Sequence, residues 1–253
     1  MQVADISTES MAVVLAAGKG TRMKSELPKV LVPVAGRPML RYVIDALRGA
    51  GVSRIVVVVG YRADLVREEL AGETGVEFAD QTEQLGTGHA VMMAREAIQS
   101  ARGPVLVVAG DSPMLQASSL KKLLDAFDGD ACLLGTVERH DPTGYGRIVR
   151  SEAGEFTGIV EHKDATPEQL AIKEVNVSTY VFAPQQLLGS LAKLTDNNAQ
   201  GEYYVTDCPG ILLGEGKPVR ALKVLEPCES LSINNREELA EVEAELAKQQ
   251  ANA

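Results

Sequence analysis

The 253-residue sequence is short of positive charge and of long apolar runs. It carries 25 Lys and Arg against 35 Asp and Glu, a formal net charge of −10. This balance argues against non-specific binding to nucleic acid or to an anionic membrane. The longest apolar stretches, such as residues 55–59, have the length of a strand and fall well short of the ~18 residues that cross a bilayer. We therefore expect neither nucleic acid nor a membrane as a partner.

Cysteine is also scarce. Cys132, Cys208 and Cys228 are odd in number, widely separated and without a Cys-x-x-Cys spacing. This pattern favours buried thiols in a reducing cytoplasm over a disulfide framework or a zinc site. Residues 1–10 are polar and lack the basic region that begins a signal peptide, and they predict a short disordered tail. We expect a cytoplasmic protein.

The few basic residues are concentrated in one place. Residues 18–29 hold four bases and one acid, whereas the rest of the chain holds 21 bases and 34 acids. A positive segment in a negative body indicates a site for a small anion.

The first half of the chain predicts a sheet with helical crossovers. Short β-branched runs alternate with helical apolar spacing, which is typical of a doubly wound, mostly parallel, Rossmann-like α/β sheet. The predicted strands are residues 12–17, 54–59, 76–79 and 105–109, and the predicted helices are residues 39–50, 63–71 and 87–100.

The second half predicts β-hairpins added to that sheet. Strands are expected at residues 131–137, 146–149, 156–161 and 177–182, then helices at 184–193 and 204–213 and a strand at 219–224. We predict one nucleotide-binding domain over residues 11–234 with a β-hairpin lobe on the substrate side. A C-terminal helix is expected over residues 235–253, with Leu239, Val242 and Leu246 on one face.

A glycine-rich loop follows the first strand at residues 15–23. Glycines let backbone N–H groups approach phosphate oxygens, and basic side chains add charge complementarity. The dinucleotide fingerprint would need a third Gly or Ala where Met23 stands, and no Gly-Lys-Ser/Thr follows at P-loop spacing. A dehydrogenase and a P-loop kinase are therefore excluded.

The loop and several later motifs resemble one family of enzymes. Together with the Leu-Pro-Lys-Val-Leu of residues 27–31, they are similar to the uridylyltransferase domain of the bacterial GlmU-type bifunctional N-acetylglucosamine-1-phosphate uridylyltransferase/glucosamine-1-phosphate acetyltransferases. The resemblance spans residues 11–236 and rests on motifs at residues 84–90, 110–113, 141–148, 159–165, 197–204 and 234–236.

The resemblance implies a nucleotidylyltransferase that joins UTP and N-acetylglucosamine 1-phosphate into UDP-N-acetylglucosamine and pyrophosphate. It implies small-molecule partners and a monomer or weak homo-oligomer. Two alternatives stay open. One is a related uridylyl- or thymidylyltransferase that uses glucose 1-phosphate or another hexose phosphate, and the other is a non-catalytic regulator that binds nucleotide sugars.

The resemblance also assigns residues. Arg22 would stabilise the departing pyrophosphate, and Lys29 would bridge to the α-phosphate. Asp111 and Asn234 match the family's Mg²⁺ ligands, and hard oxygen donors suit that ion. Nucleotide contacts are implied at Leu15, Ala16, Ala17, Gly18, Gly20, Thr21, Gln81, Gln84, Gly86 and Thr87, and sugar contacts at Gly146, Glu161 and Asn176.

Some assignments have a plain structural alternative. Gln81 could cap a helix, and Glu161 could be a surface charge of the hairpin. His89 is interpreted as structural. Residues 200–204 resemble the loop on the acetamido side of the sugar and favour an N-acetyl substrate.

The sequence also departs from the family pattern. Val177-Ser178 stands where the family commonly has Thr-Gly, and Ala109 where some relatives have Tyr. Both changes bear on sugar selectivity. No segment corresponds to the left-handed β-helix that carries acetyltransferase activity in the family.

Overall fold

The computed structural model describes residues 10–20, 25–198, 200–233 and 235–251. Eleven strands are found in this part of the chain, numbered β1 to β11 in order: Met11–Ala16, Pro33–Val34, Arg37–Pro38, Arg54–Val59, Val76–Asp80, Val105–Ala109, Cys132–Glu138, Gly146–Arg150, Phe156–Val160, Glu174–Phe182 and Val219–Lys223. Nine of them form one sheet, whose main path runs β11-β7-β10-β6-β1-β4-β5, and β2 pairs with β3 in a small hairpin.

The described helices, α1 to α9, are Met39–Gly49, Ala63–Glu69, Thr87–Met93, Arg95–Gln99, Ala117–Ala126, Pro167–Leu170, Pro184–Leu191, Cys208–Gly214 and Arg236–Ala251. Short 3-10 turns add Lys29–Leu31, Val205–Asp207 and Pro227–Ser230.

The centre of the sheet is parallel. Strand β1 pairs in parallel with β4 and β6, and β4 pairs in parallel with β5. Each central strand is buried on both faces, which is why its sequence reads as a continuous apolar run. The predicted doubly wound, mostly parallel sheet is confirmed. Because these strands share a direction, the loops that leave β1, β4, β5 and β6 meet at one edge.

The substrate-side lobe is the antiparallel part of the sheet. Strand β10 runs antiparallel between β6 and β7, and β8 pairs with both β10 and β9. The predicted hairpins are therefore present, but β10 begins at Glu174, three residues before the predicted strand. Its pairing with β7 shifts between Asn176 and Thr179, so a bulge interrupts the strand where the hairpin lobe begins.

Two apolar cores cover the two faces of the sheet. One contains residues of α1, α2 and α5, and the other contains residues of α3, α4, α7 and α8. The predicted helix over residues 87–100 is wrong in one respect, because the chain divides there into α3 and α4 at the buried Ala94. Helix α5 was not predicted, although Leu120, Leu123 and Leu124 have helical spacing and are all buried.

A third, smaller core joins α9 to the chain that follows Lys29. Val242 and Leu246 of α9 are buried with Val34, Met39 and Ile233. The Ala35 backbone N–H also donates to Glu243 Oε1 at 2.9 Å. The predicted C-terminal helix is therefore present from Arg236 and is packed against the β2–β3 hairpin.

The described residues include all three cysteines. All three cysteines are unpaired, and Cys132 and Cys208 are buried in the second core. Burial raises the pKa of the Cys208 thiol to about 12, which keeps the thiol protonated. No helix in the described part of the chain has the length and apolarity needed to cross a membrane. The predicted N-terminal tail lies outside the described residues except for Ser10, which is buried.

Candidate active site

Two cavities lie side by side at the carboxyl edge of the sheet. The first has a volume of about 330 Å³ and the second about 250 Å³. Both are lined by Ala109, Asp111 and Ser178, so these three residues form the ridge between them. The two cavities therefore adjoin at these residues.

The first cavity collects most of the predicted nucleotide-contacting residues. Lys29 also lines it. Two of the predicted residues do not line it: Ala16 is buried in β1, and Gly20 packs against Lys29. The predicted residues that do line it are Leu15, Ala17, Gly18, Gln81, Gln84, Gly86 and Thr87.

Three predicted site residues, Thr21, Arg22 and Asn234, lie outside the described residues. Their roles stay predictions. The structure describes the residues on either side of them. Gly20 and Ser25 flank residues 21–24, and Asn234 lies between the buried Ile233 and the half-buried Asn235. Asn235 Oδ1 accepts a hydrogen bond of 2.8 Å from the Glu238 backbone N–H, which caps the first turn of α9.

The glycine-rich loop is held against Lys29. Gly20 has a φ of +67°, and a Cβ built there would lie 2.7 Å from Lys29 Cβ, so only glycine fits. The Lys29 backbone N–H donates to the Gly18 carbonyl at 3.4 Å. Buried Val30 and Leu31 anchor the 3-10 turn that carries Lys29. The loop and the lysine therefore form one unit.

Lys29 and Asp111 form an ion pair in the first cavity, and Asp111 also lines the second. The distance from Lys29 Nζ to Asp111 Oδ2 is 2.5 Å, and both side chains are mostly buried, at 16% and 27% exposure. Asp111 lies two residues after the end of β6, and Lys29 follows the glycine-rich loop. The pairing shows that the Asp111 carboxylate already attracts a cation.

The carboxamide of Gln81 has a defined orientation. Its Nε2 lies 3.0 Å from the Gly86 carbonyl, which can only accept, so the atom facing that carbonyl is the nitrogen. The same nitrogen lies 3.1 Å from His89 Nδ1. With the nitrogen turned to these two acceptors, the Gln81 oxygen is left for the cavity. His89 thus contacts Gln81, and the Gln81 side chain bonds to a carbonyl and not to the first N–H groups of a helix.

Gln84 and Thr87 connect the segment of residues 84–87 to Ala17 and to Val205 by hydrogen bonds. Gln84 Nε2 donates to the Ala17 carbonyl at 2.9 Å, and Thr87 Oγ1 accepts from the Val205 backbone N–H at 3.1 Å. Gly86 has a φ of +103°, and a Cβ there would lie 2.5 Å from the Tyr203 carbonyl. The segment around Tyr203 therefore packs directly on Gly86 at the wall of the first cavity, and Glu202 also lines that cavity.

The second cavity brings together all three residues predicted to contact the sugar. Gly146, Glu161 and Asn176 come from β8, from the residue after β9 and from β10, and all line the cavity. A Cβ at Gly146 would lie 2.9 Å from Ile159 Cγ2 and 3.5 Å from Glu161 Oε1. Glycine at residue 146 therefore keeps the floor of this cavity open.

Electrostatics in the second cavity are negative. Partial burial of the carboxyl group, and then the nearby Asp164 and Asp207, raise the pKa of Glu161 above its usual value. The side chain is still exposed to the cleft. A carboxylate in this setting is a strong acceptor for sugar hydroxyls.

Both polar atoms of the Asn176 side chain are hydrogen-bonded within its own strand. It is 7% exposed, its Nδ2 donates to the Tyr180 hydroxyl at 2.8 Å, and its Oδ1 accepts from the Ser178 backbone N–H at 3.2 Å. Asn176 therefore shapes the bulge in β10 as well as lining the cavity.

A family model for the MobA-like NTP transferase domain matches residues 12–205, about three quarters of the chain. The chain belongs to this family. It is also similar to the bifunctional protein GlmU of Exiguobacterium sibiricum, with 48% identity over 239 residues that cover 94% of this chain and 53% of that protein. The bifunctional protein GlmU of Streptococcus gordonii is 47% identical, and the match covers 94% of this chain and 52% of that protein.

The GlmU-type resemblance predicted from the motifs is confirmed by these relatives, and the chain spans about half of their length. Two solved structures share the fold. HddC from Yersinia pseudotuberculosis has a TM-score of 0.71 at 22% identity, covering 93% of this chain and 99% of that one. A UDP-glucose pyrophosphorylase in complex with UDP-glucose has a TM-score of 0.75 at 17% identity, covering 95% and 99%.

Sequence reasoning missed a wall residue of the second cavity, which lies C-terminal to the range matched by the family model. Glu229 is 4% exposed and lines the second cavity. Its carboxylate accepts from the Gln116 N–H at 2.9 Å, the Ser119 hydroxyl at 2.6 Å and the Glu226 N–H at 2.7 Å. It therefore joins the start of α5, which follows Asp111 in the chain, to the segment that leads to Asn234. The spacing of Glu226 and Glu229, which form a capping box, is the signal that could have revealed it.

Proposed function

We propose that this MobA-like domain transfers a uridylyl group from UTP to N-acetylglucosamine 1-phosphate, forming UDP-N-acetylglucosamine and pyrophosphate. The observation that carries the proposal is the pair of adjoining cavities that share Asp111, which is paired with Lys29 in the first of them. One cavity holds the predicted base- and phosphate-contacting residues, and the other holds the predicted sugar-contacting residues. The GlmU relatives, which match over 94% of this chain, support the same reaction.

The reaction is an in-line displacement at the α-phosphorus. An oxygen of the sugar phosphate forms a bond to that phosphorus, and the bond from the phosphorus to the oxygen that bridges to the β-phosphate breaks. Pyrophosphate leaves with the electron pair. The attacking oxygen is already ionised at neutral pH, so no general base is required, and catalysis consists of charge neutralisation and positioning.

The residues divide these tasks. The ammonium of Lys29 would contact the α-phosphate, and backbone N–H groups of the loop from Gly18 would bind the phosphates. The predicted role of Arg22 is to stabilise the pyrophosphate as it leaves. The Gln81 oxygen would accept from the uracil N3–H, and Glu161 would accept from a sugar hydroxyl.

The site also fits a Mg²⁺ ion. The Asp111 carboxylate already pairs with a cation, and Asn234 is its predicted partner as a ligand. Within the described residues no group of three or more His, Cys, Asp or Glu forms a metal site, so the protein would supply few donors. Mg²⁺ is commonly held in this way, by one or two protein oxygens with phosphates and waters completing the shell. When bound, the ion would neutralise charge on the phosphate oxygens.

A pyrophosphate-release assay tests the proposal. UTP and dTTP are each combined with N-acetylglucosamine 1-phosphate, glucosamine 1-phosphate or glucose 1-phosphate, with Mg²⁺ present. We expect the fastest release with UTP and N-acetylglucosamine 1-phosphate. A preference for glucose 1-phosphate or dTTP would favour a related pyrophosphorylase. Nucleotide-sugar binding without release from any pair would support a regulator and refute the enzyme.

A further inference from the structure

Ser178 has an unfavourable backbone conformation at a sensitive point of the site. Its φ is +57°, in the left-handed region that a serine rarely adopts. It lies in the β10 bulge, where the register with β7 shifts between Asn176 and Thr179. The pairing of β10 with β6 ends at Tyr180 opposite Val107, so Ser178 lies just beyond the last paired residue and lines both cavities together with Ala109. Strain of this kind persists when its surroundings or its function require it.

Ser178 is also one of the three residues that line both cavities. Of the three, Ala109 offers only a methyl group, and the Asp111 carboxylate is paired with Lys29. Ser178 is therefore the one member of this ridge with a neutral hydroxyl donor. The ridge is the place where a phosphate bound on the sugar side would approach a phosphate bound on the nucleotide side.

The neighbouring polar groups of the bulge are bonded to one another. Asn176 Nδ2 donates to the buried Tyr180 hydroxyl at 2.8 Å. The Ser178 backbone N–H donates to Asn176 Oδ1 at 3.2 Å, so the side-chain hydroxyl is the other donor that Ser178 can offer to the cavity.

We propose that the Ser178 hydroxyl donates a hydrogen bond to the phosphate of the sugar 1-phosphate, and that the strained backbone at residue 178 is retained for this contact. The contact rests on the proposed uridylyl transfer and adds a residue to its sugar-phosphate side. The sugar phosphate is the partner because Ser178 lies two residues from Asn176 on the strand that lines the sugar cavity. The nucleotide phosphates have the separate loop at Gly18.

Two substitutions at Ser178 separate the hydroxyl from the backbone. Ser178→Ala removes the hydroxyl and keeps a side chain in the left-handed region, whereas Ser178→Gly removes both the hydroxyl and the strain. Ala35 provides a matched control, since it has a φ of +48° in the exposed turn between β2 and β3, away from both cavities. Ala35→Gly relieves a comparable strain without touching the site.

We expect both Ser178 variants to raise the KM for the sugar phosphate about 5- to 20-fold, with the KM for UTP changed by less than about twofold. We expect Ser178→Gly to melt about 1–3 °C above Ser178→Ala, and Ala35→Gly to melt above the wild type by a similar amount with unchanged kinetics. The glycine at residue 178 would then be the more stable and the less active choice.

Three results would overturn the contact. Wild-type kinetics in Ser178→Gly, with active wild-type enzyme, would show that the hydroxyl binds nothing and would leave the proposed reaction standing. A parallel rise in both KM values, with lowered melting temperatures, would assign Ser178 a structural role only. Failure of the wild type to release pyrophosphate with any sugar phosphate would remove the proposed reaction itself, and the Ser178 contact with it.

Discussion

The ammonium nitrogen of Lys29 lies 2.5 Å from Oδ2 of Asp111, so the predicted phosphate-binding lysine and the predicted metal-binding carboxylate neutralise each other. A divalent cation at Asp111 must therefore compete with the lysine. An α-phosphate in the first cavity would attract Lys29 away from Asp111. Nucleotide and metal should thus assist each other's binding.

Lys29→Met should tighten Mg²⁺ binding to the nucleotide-free protein about 3- to 10-fold, because the competing cation is gone, while turnover is lost. Isothermal titration with Mg²⁺ alone measures this. Lys223→Met is the matched control, since Lys223 pairs with Glu138 at the same 2.5 Å on the surface. Unchanged or weaker Mg²⁺ binding in Lys29→Met would place the metal away from Asp111.

Asp111→Asn and Asn234→Ala should each lower the rate of pyrophosphate release about 100-fold or more, because charge stabilisation at the reacting phosphates is lost. The fold should persist, as Asp111 is partly exposed at a strand end. Circular dichroism and melting temperature check the fold. Rates equal to the wild type in either variant would contradict the metal assignment.

Glu161 predicts a distinct pH dependence. Its pKa is raised, so it becomes protonated at a higher pH than an ordinary glutamate and weakens as an acceptor. We expect the KM for the sugar phosphate to rise as the pH falls, and to rise less steeply in Glu161→Gln. The sugar phosphate titrates equally in both assays, so the difference between the two profiles reports Glu161. Identical profiles would remove it from the sugar site.

The same shift has a consequence for stability. A carboxyl whose pKa is higher in the folded than in the unfolded state opposes folding once it is ionised, and this opposition disappears as the pH falls below the unfolded value. Glu161→Gln should therefore melt above the wild type at pH 7.5, and the difference should shrink toward pH 4. A lower melting temperature for the variant at pH 7.5 would show that the charge is stabilised by its surroundings.

Gln81 should distinguish uracil from cytosine. The Gly86 carbonyl and His89 hold its nitrogen, so we expect its oxygen to face the cavity. An acceptor there suits the N3–H of uracil and repels the N3 lone pair of cytosine. Gln81→Leu should lower the preference for UTP over CTP about 10-fold, measured as the ratio of kcat/KM values. A full preference in this variant would assign base selection to other groups.

Substitution of Glu229 should lower the free energy of unfolding. The buried carboxylate accepts from three donors, two of them backbone N–H groups on different oxygens, and a carboxamide cannot accept from both. Glu229→Gln should therefore cost about 1–3 kcal/mol in the free energy of unfolding by urea. The exposed Glu155→Gln is the control, with a change near zero. Equal midpoints for the two variants would contradict this network.

The parts of the fold that were predicted well are those in which burial alone decides the sequence. Strands 54–59 and 105–109 match the structure at both ends because they are apolar on both faces. The helix is divided at Ala94, which is buried in the second core. The spacing of apolar residues along the chain does not indicate this division. The missed α5 did carry a readable signal in Leu120, Leu123 and Leu124.

The sequence motifs indicated individual candidate residues, but they did not indicate which of these residues contact each other. The motifs identified Lys29 and Asp111 separately, and only the folded chain shows that they pair with each other. The carboxamide orientation of Gln81 depends on Gly86 and His89, which approach it only after folding. Likewise, the positive φ of Ser178 comes from a bulge in β10 that no sequence pattern marks.

Helix α9 also bears on how the protein should be handled. Val242 and Leu246 share a core with Val34 and Met39, close after the turn that carries Lys29. A division of the chain before Arg236 would pass through that core and expose it to water. Truncation there should loosen the hairpin that follows Lys29, so an expression boundary or a fusion point belongs after α9, beyond residue 251.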